Sequence, residues 1–235
     1  MTETVRLTLP LLQPAQAQKH VTVNEALLKL DGLAQLRLAA LDVAVPPASV
    51  EGEAYAVPAG ASADWAGKDG QIAIEAGGGW IFVTPETGWR AWIIPDAREA
   101  VWTGSEWVAG SLGVSASGAA AGFRTVTFDH VITPGATNVA AEGLPANAMV
   151  FAVSARVTQD ITGSLTSWQM GLSAEPSKFG SGMGLLQGSF ATGILSQPTT
   201  YYTPESVLLS AVGGDFAGGR LRVAMHYAEF ALPED

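Results

Sequence analysis

A chain of 235 residues with a formal net charge of −10 is long enough for one large or two small domains with real cores. Its 12 Lys and Arg form no cluster and face 22 Asp and Glu, which excludes a phosphate-binding surface and argues against nucleic acid and anionic membrane as partners. Cysteine is absent, so disulfides, thiolate nucleophiles and Cys-ligated zinc are excluded.

Residues 1–21 read as extended. Leu7, Leu9 and Leu11 alternate, Pro10 and Pro14 oppose a helix, and Gln13, Gln16 and Gln18 are polar. Met1–Thr22 has no long apolar core of the secretory kind, and no apolar run approaches the roughly 20 residues that span a bilayer. Synthesis in the cytoplasm and no membrane insertion are expected. Thr22 and Glu25 match a capping box, which predicts a helix over Asn24–Leu41. Two apolar stripes follow, one with Leu27, Leu30, Ala34, Leu38 and Leu41, the other with Leu28, Leu33, Leu36 and Ala40. A helix this apolar buries more than one side. One reading is an internal core helix; the other is self-association through Leu27, Leu30, Leu33, Leu38 and Leu41. Residues 1–45 are accordingly expected to be a docking segment followed by an oligomerisation helix.

Pro46-Pro47 closes that region, and residues 46–110 hold six of the seven tryptophans: Trp65, Trp80, Trp89, Trp92, Trp102 and Trp107. Short strands are predicted at Ala54–Val57, Gln71–Glu75, Trp80–Thr84, Arg90–Ile94, Glu99–Thr103 and Trp107–Val108. Gly77-Gly78-Gly79 and Thr103-Gly104-Ser105 supply hairpin turns between them. The expectation is a small antiparallel meander whose tryptophans share one core. The indoles also suit stacking on sugar rings, but a unit this small needs its large aromatics to have a core at all.

Residues 111–122 are mostly Gly, Ala and Ser, a linker composition. Beyond them, residues 123–235 show two-residue alternation. Met149, Phe151, Val153, Ala155 and Val157 face one way; Trp168, Met170 and Leu172, and Leu221, Val223, Met225 and Tyr227, repeat the pattern. The predicted fold is mainly β with one N-terminal helix, a Trp-rich antiparallel meander followed by a jelly-roll-like β-sandwich.

The opening Leu9-Pro10-Leu11-Leu12, then Gln16-Ala17-Gln18-Lys19-His20-Val21-Thr22-Val23-Asn24-Glu25-Ala26-Leu27, resembles a domain family of unassigned biochemical function. Members occur in fibre and head-spike proteins of prophages and phage-like gene transfer agents. The resemblance runs on through Pro46-Pro47, Trp65-Ala66-Gly67, Asp69-Gly70-Gln71-Ile72-Ala73, Trp80, Gly88-Trp89, Trp92 and Trp102 to Trp107. The second half is similar to the β-rich tip that follows such domains, at Leu144-Pro145-Ala146-Asn147, Phe179-Gly180-Ser181-Gly182, Tyr201-Tyr202 and Gly213-Gly214. The resemblance implies a virion component made in the bacterial cytoplasm. Its N-terminal half would dock on other virion proteins of the head or tail, and its C-terminal half would meet host surface polysaccharide. Trimers are usual for such fibres and spikes, so a homotrimer is expected. The family offers no catalytic or ligand set to carry over.

In the sandwich, Trp168, Glu175, Lys178, Phe179, Tyr201, Tyr202 and Asp215 are the candidate glycan-binding residues, because sugar sites combine flat apolar faces with groups that hydrogen-bond hydroxyls. Trp168 also fits a core position. No metal site is expected, since His20, His130 and His226 match no ligand spacing. Gly180, Gly182, Gly184 and Gly188 are not followed by a phosphate-loop lysine, and no nucleophile elbow is present. No cofactor and no catalysis are expected. The rival readings are a purely structural virion protein and a glycan-degrading spike. The latter would draw its carboxylate pair from Asp64, Asp69 and Glu75, or from Glu175 and Asp215.

Overall fold

The computed structural model describes residues 2–13, 19–48, 50–110, 112–115 and 117–233, the Lys19 side chain excepted. Gln16, Ala17 and Gln18 of the family-like opening lie outside the described residues. The chain divides into two compact units, one running to Ala120 and the other covering Ala121–Leu232.

The first unit contains helix α1 (Lys19–Leu33) and strands β1 (Arg37–Leu38), β2 (Ala54–Ala56), β3 (Ile72–Ala76), β4 (Gly79–Val83), β5 (Arg90–Ile93), β6 (Arg98–Trp102), β7 (Trp107–Ala109) and β8 (Gly113–Val114). A single 3-10 turn, Ala63–Trp65, lies between β2 and β3. The six strands expected between 54 and 108 are all present, with ends shifted by one residue at most. They form two sheets and not one meander: β2-β3-β4 is antiparallel, and β5-β6-β7 is antiparallel with β1 added parallel to β5.

Strand β3 explains the layering, because it is buried on both faces. Ile72 and Ile74 enter a core with Leu36, Leu38, Ala54, Ala56, Val83, Ala91, Ile93 and Ala100, where the two sheets meet. Ala73 faces the opposite way, into a second cluster with Tyr55, Val57 and Trp65. The tryptophans are therefore divided. Trp65 packs edge-on to Trp80 at 5.1 Å between ring centroids and lies 5.5 Å from Tyr55, while Trp102 pairs with Trp107 at 5.5 Å. Trp92 stays exposed on β5. The expectation of one shared tryptophan core is corrected: a strand buried on both faces needs a separate cluster on each side.

The helix ends eight residues earlier than predicted, and a long-range contact is the cause. Residues 2–12 fold back as a small hairpin, with Thr4 N donating to Leu9 O and Leu11 N to Thr2 O. The Arg6 guanidinium of this hairpin donates to the carbonyls of Gly32, Ala34 and Gln35 at 2.8, 3.2 and 2.7 Å. These include carbonyls a helix leaves without partners at its C-terminus. Gln35 then turns through a left-handed conformation (φ 51°). Asp31, 3% exposed, accepts from Thr4 Oγ1, Arg6 N and Leu7 N, and Asn24 pairs with both backbone groups of Leu12. Gly32 brings the helix against β3, since a Cβ there would sit 2.6 Å from Ile74 Cγ2; only glycine allows this approach.

The five leucines assigned to oligomerisation do not make one helical stripe. Leu38 is fully buried in strand β1, and Leu33 and Leu41 pack against the unit's own core. Leu27 is half-buried. Leu30 alone among the five is exposed on α1, where Val21 and Val23 are exposed too. Thr22 lies inside the helix and caps nothing.

The second unit contains β9 (Ala120–Val131), β10 (Thr137–Leu144), β11 (Ala148–Gly163), β12 (Ser167–Gly171), β13 (Gly180–Met183), β14 (Phe190–Ala191), β15 (Ile194–Tyr201), β16 (Glu205–Val212) and β17 (Phe216–Ala231). Residues 120–122 of the expected linker are thus strand. One sheet has the order β10-β16-β12-β13; the other has β14-β11-β17-β9, with β15 also on β11. This is a β-sandwich with the crossed connectivity of a jelly roll. Its core takes Leu144, Trp168, Met170, Val207 and Leu209 from one sheet, and Val150, Val153, Ala155, Val157, Leu221, Val223, Met225 and Tyr227 from the other. The predicted alternation holds in β12 and β17 but breaks in β11. There Val150 pairs with Tyr227 and Ala152 with His226, leaving Phe151 as the extra residue of a bulge. A bulge reverses the phase of a strand. Val150 is therefore in the core, and Phe151 packs against Phe123 with the rings tilted and their centroids 5.4 Å apart. Among the described residues no helix is long and apolar enough to cross a membrane.

Replacing Asp31 with Ala leaves three donors without their acceptor and should destabilise the first unit by about 2–4 kcal/mol. Denaturant midpoints compare the variant with the parent. An unchanged midpoint would show that the hairpin clasp does not hold the helix.

Candidate functional site

The sandwich does not assemble the seven residues chosen for it. Trp168 is fully buried in β12, and its Nε1 donates to Gly184 O at 3.0 Å. Phe179 is 2% exposed in the same core, held by Phe179 N donating to Met170 O. Neither ring can reach a ligand, and both are withdrawn as glycan platforms; the inward phase of β12 decides it. Glu175, Lys178 and Tyr201 do come together. The Lys178 ammonium binds Glu175 at 2.9 Å, which raises its pKa. The Tyr201 hydroxyl is buried, and burial pushes its pKa up although Lys178 opposes the shift. Tyr202 beside it is 80% exposed. Asp215 sits at the other end of the sandwich, its N–H donating to Ser164 Oγ, because β12 and β16 run antiparallel with Ser167 opposite Val212 and Gly171 opposite Leu208.

The first unit holds a better-built cleft of about 700 Å³, within the 300–1,000 Å³ range of small-ligand sites. Its aromatic wall is the cross-strand pair Trp102 and Trp107, brought opposite one another by the β6–β7 hairpin. That hairpin closes through Thr103, whose N–H donates to Glu106 O and whose hydroxyl accepts from the Ser105 and Glu106 N–H groups. The turn thereby sets Ser105 and Glu106 on the cleft rim, both exposed. The facing wall is the β2–β3 connection, with Pro58, Asp69, Gly70 and Gln71. Gly70, at φ 74°, lies against the Trp102 ring, and its N–H donates to Val57 O at 2.9 Å. Leu41 completes the apolar floor.

Trp107 Nε1 is buried and has no hydrogen-bond partner. That N–H has no surface open to the cleft, so its missing hydrogen bond is a stability cost of packing the ring. The half-buried Trp107 indole backed by the buried Trp102, with two carboxylates, one amide and the hydroxyls of Thr84 and Ser105, gives a cleft of this size one apolar face for a sugar ring and polar groups for its hydroxyls. The sequence signals for Gln71, Ser105 and Glu106 are their places in Asp69-Gly70-Gln71 and Ser105-Glu106-Trp107. Neither run suggests a ligand contact until the hairpins are paired.

Two smaller hollows flank the same unit. One, of about 350 Å³, places the exposed Trp92 with Arg37, Arg90 and Glu99. The other, of about 310 Å³, is lined by Pro46, Pro47, Asp64, Glu75 and Trp80, so two of the three N-terminal carboxylates considered for catalysis share one hollow and Asp69 lies in the cleft. Glu75 is 2% exposed, with Oε2 unpartnered. Burial first, and the neighbouring Glu51 second, hold its carboxyl above the usual glutamate range. The other pair, Glu175 and Asp215, is separated by the length of the sandwich.

The family described as "Protein of unknown function (DUF2793)" matches residues 23–108, a span that begins within α1, ends within β7 and includes all the cleft residues. No curated protein matches the chain. Among solved structures, a chain described as "Cyanophage Pam1 capsid asymmetric unit" is similar at 20% identity, covering 47% of this chain and 84% of that one with a TM-score of 0.31.

Replacing Trp168 with Ala should cost about 3–5 kcal/mol, the range for a large core aromatic, whereas Tyr202→Ala should stay within about 0.5 kcal/mol. Equal midpoints for the two variants would place Trp168 outside the core.

Folded Glu75 keeps its proton to higher pH than in the unfolded chain. The folded state therefore binds more protons as pH rises from the ordinary glutamate value through the folded one, and stability falls across that window. Glu75→Gln should be more stable than the parent at about pH 7 and indistinguishable near pH 4, where glutamate is largely protonated in both states. Parallel stability profiles would refute the assignment.

Proposed function

We propose that the chain is a spike or fibre component of a phage-like particle, a gene transfer agent or prophage, that attaches the particle to host-cell surface polysaccharide. The observation that carries the reading is the Trp102–Trp107 cleft with Asp69, Gln71 and Glu106 on its walls. The resemblance of the N-terminal half to spike-associated domains supports the virion setting and a homotrimer. Several shallow sites per particle would then act together, and avidity can exceed single-site affinity by about two to four orders of magnitude when geometry allows. Attachment in this reading moves from the sandwich end to the N-terminal unit. Of the leucines assigned to oligomerisation, Leu30 stays exposed on α1, and with the exposed Val21 and Val23 it is the apolar surface left for a second copy or a virion partner.

A glycan-degrading spike is the second reading, favoured by Asp64 and the buried Glu75, whose carboxyl is held above the usual glutamate range, lining one hollow beside Trp80. It requires shortened polysaccharide chains after incubation and loss of that cleavage in Glu75→Gln.

The test is binding of the full chain to capsular polysaccharide purified from candidate host cells, with Trp107→Ala and Tyr202→Ala beside it. Trp107→Ala should weaken binding about tenfold or more, the equivalent of at least 1.4 kcal/mol, and Tyr202→Ala should leave it unchanged. Binding lost only in Tyr202→Ala would return the site to the sandwich. A folded chain that binds no host glycan would be a purely structural virion part.

A further inference from the structure

The cleft has a charge character that narrows its ligand, provided it binds sugar as proposed above. Asp69 and Glu106 are the ionisable side chains among its lining residues; no Lys, Arg or His takes part. Lys68, next to Asp69 in sequence, places its ammonium over the Phe82 ring at 5.0 Å. Arg37 and Arg90 line the separate hollow at Trp92, where Arg90 is already paired with Glu99 at 3.1 Å. The whole chain carries −10, so the long-range field has the same sign as the cleft.

Recognition of a uronate, a sialate or a sulfated sugar rests on Arg or Lys forming charge-assisted bonds to the anion. Such a group entering this cleft would meet two carboxylates at close range and no compensating cation, and like charges brought together without a partner oppose binding. Neutral hydroxyls suit the same walls well. Carboxylates accept two hydroxyl hydrogen bonds each, Gln71 both donates and accepts, and the Thr84 and Ser105 hydroxyls do the same. A protonated amino group on the sugar would gain further from Asp69 and Glu106, and the indoles favour a cation over their faces.

We infer that the Trp102–Trp107 cleft selects uncharged and amino-sugar units and rejects anionic ones. The two rim carboxylates then determine specificity, while the indoles supply general affinity for sugar rings.

The experiment titrates the full chain with three hexasaccharides of matched length, an N-acetylglucosamine, a glucosamine and a guluronate oligomer, counting the binding that Trp107→Ala abolishes. The expected result is N-acetylglucosamine and glucosamine oligomers binding at least tenfold tighter than guluronate. In Asp69→Asn/Glu106→Gln, the glucosamine oligomer should lose its advantage over the N-acetylated one, and guluronate should gain. If guluronate binds the parent as tightly as the others and in a Trp107-dependent way, sugar binding at the cleft stands and the selection falls. If the double variant leaves all three affinities unchanged, the carboxylates do not set specificity. If a folded chain binds none of the three at Trp107, the inference and the sugar-binding reading fall together.

Discussion

Which side chains this protein can offer to a partner is decided by the two-residue period of a pleated strand. In β12 that period sends Trp168 and Met170 inward and removes the sandwich's most attractive aromatic from the surface. In β3 it sends Ile72 and Ile74 to one core and Ala73 to another, so a small unit must find large side chains for both sides. Tryptophan meets that demand, and its division between two clusters leaves Trp102 and Trp107 as a pair at the edge of one core. The cleft is a consequence of that edge position: the cross-strand pair is packed from behind by the sheet and faces the β2–β3 connection in front.

Much of this was legible in the sequence because strands and hairpins are local. Turn residues such as Gly104 and Gly77-Gly78 mark where chains reverse, and the six predicted strands of residues 54–108 needed little else. The alternation of Leu221 to Tyr227 was readable for the same reason. What was not legible depended on contacts between distant residues. The apolar period continues past Leu33, yet the helix stops there, because Arg6 of a folded-back hairpin takes up its last carbonyls and Leu36 and Leu38 are needed in a sheet core. No local signal announces that Arg6 will lie next to residue 32. The bulge at Phe151 is likewise invisible in an unbroken apolar run, and one extra residue was enough to exchange Phe151 for Val150 in the core.

The candidate site shows the same limit. Three of the seven sandwich residues, Glu175, Lys178 and Tyr201, do converge, but as an ion pair beside a phenol whose hydroxyl is buried. The cleft residues Asp69, Gln71 and Glu106 sit on two separate hairpins, and only the pairing of β2 with β3 and β6 with β7 puts them across from each other. Density of tryptophan pointed to the segment that holds the cleft. Which indoles were structural and which faced a cavity required the registers of both sheets.

In the proposed reading the working surface is the Trp102–Trp107 cleft and not the sandwich end. The most direct measurement follows the indole N–H resonances of the isotopically labelled full chain during titration with oligosaccharides released from a host capsule. The account predicts that the Trp107 and Trp102 signals move in a saturable way while the core Trp168 signal stays fixed. Shifts confined to Trp168 and the backbone around Tyr201, with Trp102 and Trp107 unmoved, would contradict it.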